Sequence, residues 1–451
     1  MLQEFFTAKN IAIVGVSKNP NKVGHVIFRN FIDTEFQGNI SIVNPHEEAI
    51  LTYHSYKSIL GIEDKIDLAI LAIPSSEIIK AVKDCIKKKI KNLIIISAGF
   101  KEVGNEKLEN ELEKLLIKYK VNALGPNCLG ILDTYSKIDT LFLPRYKMKR
   151  PKQGSISFVS QSGIVGCTLL DLMADRGYGF SKFISYGNAA VIDESDILEF
   201  LGNDPTTKVI CLYVEGIKDG RKFLEIAKKV SQKKPIIAIK GGITEQGAKA
   251  TISHTGSLAG SFEIYKGAFN QAGIITAESL EDMFNYARIL EASIKPDGNK
   301  VQIITNGGGY GVISADALNI NNLIPAEMSK KTKDYLKKIM PPRVIISNPI
   351  DLLGDATTHR YKHVIESCMK DKNINIILLL VLYQTPLLTT SIVDVITEFN
   401  DMKKKPIIVV STGGEYTKVL KRNLEENNIP CFDYPGQAVR AIKKLTEFYK
   451  K

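Results

Sequence analysis

The segment 241–260, GGITEQGAKATISHTGSLAG, contains the residue best suited to chemistry, His254. It is one of only six histidines in the 451-residue chain, and it lies among glycines and hydroxylated side chains. Glycines allow backbone N–H groups to approach an anion closely. A histidine in such a loop can carry a phosphoryl group on one ring nitrogen while a hydrogen bond holds the other. Taken alone, the segment fits a phosphoryl carrier and an ordinary surface loop equally well.

A carboxylate and two glycine-bearing turns elsewhere in the sequence could take part in phosphoryl transfer with His254. Glu215 ends the apolar run VICLYVEG, where it could accept the Nδ1–H of a histidine; alone, it equally fits an exposed strand-end carboxylate. Residues 160–163 (SQSG) and 306–309 (NGGG) each follow an apolar run and open a helical stretch. Helix N-termini offer free N–H groups to anions. Together the two turns predict a phosphate cradle.

The first apolar run, IAIVGV, ends at Gly15, where parallel sheets bind phosphate groups. The turn is not GxGxxG, and the second run ends in Asn44-Pro45-His46 rather than in the acidic residue that NAD sites use. A nucleotide-like ligand other than a dinucleotide is therefore favoured. Lys22 and His46 could meet its phosphates or lie on a solvated surface. Three further strand ends, at Pro74, Ser97–Gly99 and Asn127, indicate the binding edge of the sheet.

Short β-branched runs alternate with amphipathic helical stretches along the chain, as in doubly wound parallel sheets. The composition of the basic, proline-bearing stretch at 144–154 predicts a linker. The alternation of strands and helices is interrupted again at 294–300. We predict three consecutive α/β units, with domains at 1–146, 153–294 and 300–451.

Composition narrows the function classes. The chain is 44% hydrophobic, and no apolar run approaches the ~20 residues that span a bilayer, so we expect no membrane partner and a cytoplasmic location. The six cysteines form no CxxC pair, which disfavours a metal site or a disulfide framework. The net charge of +11 is mostly lysine without interleaved aromatics, so a solvated lysine face is favoured over nucleic-acid binding.

These residues carry a family resemblance over essentially the whole length. The chain resembles the α subunit of an ADP-forming acetyl-CoA (acyl-CoA) synthetase, a relative of succinyl-CoA synthetase. The most specific match is SHTGSLAGSFEIYKGAFNQAGIITAESLEDMF at 253–284. GPNCLG, SQSG, VEG, NGGGYGV and SNPIDLLGDAT match in order, at 125–130, 160–163, 214–216, 306–312 and 347–357.

The resemblance implies a fold, a reaction and a partner subunit that binds the nucleotide. The fold would be an N-terminal Rossmann-like CoA-binding domain followed by two flavodoxin-like ligase domains. The reaction would be acyl-CoA + ADP + phosphate ⇌ carboxylic acid + CoA + ATP, through an acyl phosphate and a phosphohistidine at His254, with acetate as the default acid. ADP or ATP, with Mg²⁺, would bind a separate ATP-grasp β subunit, in a heterotetramer of two αβ pairs.

The resemblance also assigns residues. His254 and Glu215 would be catalytic, and no metal ligands are expected in this chain. Phosphate would be bound by Gln161, Ser162, Gly163, Ile164, Thr255, Gly256, Asn306, Gly307, Gly308 and Gly309. CoA would be bound by Gly15, Ser17, Lys18, Asn19, Pro20, Lys22, Val43, His46, Pro74, Ser97, Ala98, Gly99 and Asn127. Relatives often carry lysine at the position of His46.

Two alternatives from other classes remain. A dinucleotide-binding regulator would require the acidic residue that the second run lacks. A non-catalytic CoA-sensing or regulatory protein of the same fold would not require His254, Glu215 and both glycine turns together. Detectable NADH binding would favour the first alternative, and CoA binding without phosphoryl transfer would favour the second.

Overall fold

The computed structural model describes residues 2–247, 249 and 262–450. His254, Thr255 and Gly256 therefore lie outside the described residues. The chain divides into two compact units, 1–276 and 277–451. The first contains two sheets and the second contains one.

The first sheet is formed by the five apolar runs of the N-terminal region together with two short added strands. Its strands are β1 (Asn10–Val14), β2 (Asn39–Val43), β3 (Ala49–Ile50), β4 (Tyr53–Tyr56), β5 (Leu68–Leu71), β6 (Asn92–Ile95) and β7 (Asn122–Leu124). Its helices are α1 (Gln3–Phe6), α2 (Val23–Asp33), α3 (Ser75–Lys87) and α4 (Glu106–Lys118), with short 3-10 turns at Ile59–Gly61 and Lys101–Val103.

The strand order in this sheet is β3-β4-β2-β1-β5-β6-β7, and every pair is parallel except β3 with β4. If β3 is set aside, the order is that of a Rossmann sheet, and the chain reverses direction between β1 and β5. Ile11 and Ile13 pack into one core layer, and Ala12 packs into the layer on the opposite face. The sheet is thus buried on both faces, which explains its continuous apolar runs.

The second sheet is also mainly parallel. Its strands are β8 (Gly130–Asp133), β9 (Ile138–Asp139), β10 (Lys152–Ser160), β11 (Gly179–Ser185), β12 (Val209–Val214), β13 (Ile236–Lys240) and β14 (Ile275–Thr276). Its helices are α5 (Gly163–Asp175), α6 (Glu194–Asn203), α7 (Gly220–Ser231) and α8 (Phe262–Ala272). The order β14-β13-β12-β10-β11 has the flavodoxin-like pattern, and β8 and β9 add antiparallel strands at one edge.

The predicted linker at 144–154 is more ordered than its composition indicates. Strand β10 begins at Lys152, inside this segment. The Arg150 guanidinium donates to the fully buried Asp139 carboxylate at 2.8 Å. This buried ion pair fixes the segment against the second sheet.

The second unit has its own sheet and core. Its strands are β15 (Lys300–Thr305), β16 (Ile324–Pro325), β17 (Ile350–Asp351), β18 (Ile376–Leu380), β19 (Ile407–Val410) and β20 (Cys431–Phe432). Its helices are α9 (Leu280–Ala292), α10 (Gly308–Ile320), α11 (Lys330–Ile339), α12 (Thr358–Lys370), α13 (Ile392–Asp401), α14 (Glu415–Glu426) and α15 (Pro435–Tyr449). The strand order β16-β15-β18-β19-β20 repeats the flavodoxin-like pattern, with β17 also paired to β15.

The architecture of three doubly wound units is confirmed, whereas the exact domain boundaries stay a prediction. Helix α9, which the predicted boundary at 294 assigns to the second domain, belongs to the unit that contains the third sheet. No helix among the described residues is long and apolar enough to span a bilayer.

Candidate functional site

A cavity of about 750 Å³ lies in the first unit, where β1, β5, β6 and β7 end. Ligands of open parallel sheets bind at such carboxyl ends, next to the point where the strand order reverses. The cavity is lined by seven of the predicted CoA residues, Gly15, Ser17, Lys22, Pro74, Ser97, Ala98 and Asn127. It is also lined by the predicted phosphate residues Gln161, Ser162, Gly163 and Ile164. The two groups, assigned to different domains, therefore share one cavity.

Glycine is required in the turn after β1 because backbone segments meet there. Gly15 has φ of +98°, and a Cβ at this position would lie 2.3 Å from the carbonyl oxygen of Ala72. A Cβ at Gly24, in the first turn of α2, would lie 2.2 Å from the carbonyl oxygen of Gly15. The helix N-terminus thus approaches the strand end closely, which leaves room for a ligand group at the turn.

Asn44 occupies the place where a dinucleotide site would carry an acidic residue. Its amide donates to the carbonyl oxygen of Val16 at 2.6 Å, and its oxygen accepts the N–H of His46 at 2.8 Å. Asn44 therefore supports the turn after β1 from the neighbouring strand.

Six predicted CoA residues do not line the cavity: Lys18, Asn19, Pro20, Val43, His46 and Gly99. Lys18 instead pairs with Glu47 at 2.5 Å. Gly99 follows the lining residue Ala98, and its N–H donates to Glu102 at 2.5 Å. The predicted contacts of these six residues with CoA stay untested.

The turn before α5 is joined to the end of β12 through Gln161. The Gln161 side-chain oxygen accepts the N–H groups of Glu215 at 2.7 Å and Gly216 at 3.1 Å. The Ser162 hydroxyl caps α5 by accepting the N–H of Val165 at 3.5 Å. A single glutamine thus fixes the α5 N-terminus relative to the carboxylate segment.

Glu215 is buried, with 7% of its surface exposed, which rules out the solvated strand-end carboxylate. The Tyr213 hydroxyl donates to one of its carboxylate oxygens at 3.3 Å. Burial raises the pKa of Tyr213 to about 12, with a further contribution from the Glu215 charge, so this phenol stays a donor.

Lys240 supplies a cation near Glu215, at the end of the neighbouring strand β13. Its ammonium contacts the carbonyl oxygen of Gly241 and lies 4.8 Å from the ring centre of Tyr265. Burial lowers the pKa of Lys240, and the negative charge of Glu215 opposes that shift. A buried carboxylate and a buried ammonium thus lie at the start of the segment that contains His254.

In the turn at Asn306–Gly309, in the second unit, the Asn306 side chain was predicted to bind phosphate. It instead makes hydrogen bonds to other residues of this unit. The Asn306 amide donates to Leu382 and Thr385 at 3.1 and 3.2 Å, and its oxygen accepts from Leu382 and Tyr361 at 2.8 and 2.9 Å. All four of its hydrogen-bonding positions are used inside the unit. Any contact of Asn306 with phosphate must come from its backbone.

A carboxylate also lies at the N-terminus of α10. A Cβ on Gly308 would lie 2.8 Å from a carboxylate oxygen of Asp351, which follows Ile350 in β17. Asp351 already places negative charge beside these N–H groups. The α10 N-terminus is therefore less open to an anion than its sequence indicates.

Among the residues beside the cavity that the sequence interpretation missed are Lys101, Glu102, Gly187 and Asn188. Lys101, Gly187 and Asn188 line it. The side-chain oxygen of Asn188 accepts a hydrogen bond from the Asn127 amide at 3.3 Å, and the Asn188 amide donates to a carboxylate oxygen of Glu102 at 2.7 Å. Burial raises the pKa of Glu102, but hydrogen bonds from Asn188 and from the Gly99 and Phe100 N–H groups outweigh it and hold that pKa below its ordinary value. Asn188 follows a buried strand, a signal that could have identified it.

Comparison with known proteins places the chain in a family. Residues 9–134 match the family described as a CoA binding domain, 153–290 the succinyl-CoA ligase like flavodoxin domain, and 301–446 the ligase-CoA domain. The chain is 36% identical to the acetate–CoA ligase [ADP-forming] II subunit alpha of Pyrococcus furiosus, with 99% of this chain and 98% of that protein covered. The chain belongs to the ADP-forming acetate–CoA ligase family.

Two further relatives extend this finding. The acetate–CoA ligase [ADP-forming] of Methanocaldococcus jannaschii is 42% identical over 98% of this chain, which spans 62% of that relative. The dinucleotide forming acetyl-coenzyme A synthetase 1 of Ca. Korarchaeum cryptofilum, solved in complex with phosphate and ADP, superposes with a TM-score of 0.93 at 35% identity. That match covers 100% of this chain and 97% of the solved chain.

Proposed function

We propose that this chain is the CoA- and phosphohistidine-bearing component of an ADP-forming acyl-CoA synthetase. It would convert acyl-CoA, ADP and phosphate into a carboxylic acid, CoA and ATP. The observation that carries the proposal is the shared cavity, in which residues of the CoA-binding turn and of the α5 N-terminal turn line the same space. A thioester and a phosphate bound at these two places would be held for reaction.

The first proposed step is the cleavage of the thioester. A phosphate oxygen attacks the carbonyl carbon, the new C–O bond forms, and the C–S bond breaks. The CoA thiolate leaves and takes up the proton of the hydrogen phosphate. Backbone N–H groups at 162–164 would stabilise the oxyanion charge, since they lie at the N-terminus of α5 beside the cavity. The Gln161 N–H is already used, because it donates to the carbonyl oxygen of Tyr213 at 3.1 Å.

In the second proposed step, His254 attacks the phosphorus of the acyl phosphate and the carboxylate leaves. Glu215 would accept the Nδ1–H of His254 and stabilise the phosphohistidine, an assignment supported by its burial and by the fixed position of its N–H. The contact itself falls on residues outside the described part of the chain.

The last proposed step transfers the phosphoryl group to ADP. We infer that ADP and Mg²⁺ bind an ATP-grasp partner, in an assembly of two αβ pairs. The name of the Pyrococcus relative, a subunit alpha of which this chain covers 98%, supports a partner subunit. The domain bounds predicted from the sequence are 1–146, 153–294 and 300–451, and we propose that α9 belongs with the last of these domains, since it lies in the compact unit 277–451.

An acyl-CoA panel tests the proposal. The purified chain and a candidate ATP-grasp partner are supplied with acetyl-CoA or a longer acyl-CoA, phosphate and Mg-ADP, and ATP is measured. We expect phosphate-dependent ATP formation with at least one thioester, and none after His254→Ala. Saturable CoA binding without ATP formation from any thioester would instead favour a CoA-sensing role.

A further inference from the structure

Lys101 is a cationic side chain in the cavity wall to which neither the sequence interpretation nor the proposed mechanism assigns a role. It begins the short turn Lys101–Val103 that follows β6. Its side chain is 18% exposed, and it lines the cavity together with Asn127 and Asn188. At this exposure the ammonium charge is only weakly screened by water, so a negatively charged ligand in the cavity would be attracted to it.

The Lys101 ammonium is held in place by two contacts. It donates to the carbonyl oxygen of Asn188 at 2.8 Å and pairs with a carboxylate oxygen of Glu109 at 3.2 Å. Glu109 also accepts the Asn188 amide at 2.8 Å, which locks the three groups together. An ammonium has three N–H donors, and contacts among the described residues account for two.

The loop that receives Lys101 is fixed from a second side. The Lys218 ammonium donates to the carbonyl oxygen of Ala189 at 2.6 Å, one residue after the Lys101 contact. Burial, and then repulsion from Lys101, lowers the pKa of Lys218. The loop Gly187–Ala189 is therefore held by two cations, so the position of Lys101 is set before any ligand arrives.

We infer that Lys101 binds the attacking phosphate at the thioester end of the cavity, an inference that rests on the proposed function. Lys22 lines the cavity at the turn after β1, where the sequence predicts that it could meet the phosphate groups of the ligand. Lys101 lies instead beside Asn188, which accepts a hydrogen bond from the Asn127 amide, and all three residues line the cavity. One lysine thus suits the phosphate groups of CoA, and the other suits the phosphate that reacts.

The chemistry requires no proton from Lys101. Its third N–H donates to an oxygen of the phosphate dianion and orients another oxygen toward the carbonyl carbon. The C–O bond forms, the C–S bond breaks, and the thiolate takes the proton of the hydrogen phosphate, as in the first proposed step. The ammonium stays charged and offsets the negative charge that accumulates during attack.

Arsenate provides a test that does not depend on His254 or ADP. Arsenate attacks a thioester as phosphate does, and its acyl product hydrolyses, so the loss of acetyl-CoA reports the first step alone. The chain is assayed with and without its ATP-grasp partner. For Lys101→Met we expect the half-saturating arsenate concentration to rise at least tenfold, with the Kd for CoA changed less than twofold. Lys101→Arg should recover part of the loss.

Lys22→Met is the matched control, since it removes the other cavity lysine. We expect it to weaken CoA binding and, with the thioester supplied at a saturating concentration, to leave the half-saturating arsenate concentration unchanged. An unchanged arsenate response in a folded Lys101→Met variant overturns the inference. Equal losses of CoA and arsenate affinity also overturn it, because they indicate a structural role. Absence of arsenate-dependent cleavage of any thioester by the unaltered chain overturns the proposed function itself.

Discussion

Glu215 is the described residue on which the proposed phosphohistidine chemistry depends most directly. It is buried, its backbone is fixed by Gln161, and its carboxylate receives the Tyr213 hydroxyl. Glu215→Gln would keep the shape of the side chain but remove the charge that stabilises an imidazolium. We expect the phosphohistidine to hydrolyse at least tenfold faster, while the Kd for CoA changes less than twofold. The decay rate of the labelled phosphoenzyme measures phosphohistidine stability, and a CoA titration measures the Kd. If phosphohistidine stability and CoA affinity fall by the same factor, Glu215 has a structural role.

Glu194 carries a pH-dependent contribution to stability. It is 1% exposed at the start of α6, and burial, with a smaller contribution from the Asp193 charge, raises its pKa from an ordinary 4.5 to about 7. The folded state therefore binds this proton more tightly than the unfolded chain. The stabilisation is complete below the ordinary pKa and is lost as the pH rises through 7, by up to about 3 kcal/mol.

Glu194→Gln should remove this dependence. We expect the variant to match the parent in unfolding free energy near pH 4.5 and to exceed it by up to about 3 kcal/mol at pH 8. Urea unfolding at both pH values measures the difference. Glu199→Gln changes an exposed carboxylate on the same helix, so its unfolding free energy should differ little from that of the parent at either pH. A constant difference between Glu194→Gln and the parent across this range would contradict the assignment.

At the scale of elements, the turn after β1 belongs to the proposed CoA site and has no room for an added carbon at Gly15. Gly15→Ala forces a Cβ to within 2.3 Å of the carbonyl oxygen of Ala72 at a φ of +98°. We expect a loss of about 2–4 kcal/mol of stability or at least a tenfold weaker affinity for CoA. Urea unfolding and CoA titration measure both.

Gly220→Ala is the matched control, because nothing lies within 4 Å of a Cβ at this first residue of α7. It should leave CoA affinity unchanged. If Gly15→Ala also binds CoA as tightly as the parent, the turn after β1 does not approach the ligand.

The elements also show what sequence alone can and cannot predict. The strand ends at Gly15, Asn127 and Gln161 were predictable, since apolar runs followed by small or polar residues mark the carboxyl edge of parallel sheets. The local role of the Asn306 side chain was not, because its four hydrogen bonds go to residues that lie 55 to 79 positions later in the chain. The position of Lys101 was likewise hidden, since its fixation depends on Asn188, 87 residues later.

At the scale of the whole molecule, the second unit has a hydrophobic core and buried ion pairs of its own. Its core cluster is built from residues 304–431. The Arg288 guanidinium, on α9, forms a buried pair with Glu425 and donates to its carbonyl oxygen at 3.0 Å, and Arg440 pairs with Asp282 at 2.9 Å. We expect the fragment 277–451 to unfold cooperatively on its own.

The shorter fragment 300–451 provides the comparison, because it lacks α9 and leaves the buried Glu425 without Arg288. Loss of one partner of a buried pair costs about 3–5 kcal/mol, so this fragment should be markedly less stable in urea. Equal stability of the two fragments would contradict the assignment of α9 to the second unit and would favour the predicted boundary at 300.

Phosphoryl labelling tests the central claim most directly. The purified chain is incubated with acetyl-CoA, or with the thioester that the panel selects, and with labelled phosphate, in the presence and absence of the ATP-grasp partner; the label is then mapped by peptide. We predict an acid-labile, base-stable label on His254 that is absent in His254→Ala and is discharged by Mg-ADP. A label on another residue, or no label despite thioester-dependent ATP formation, would contradict the phosphohistidine mechanism.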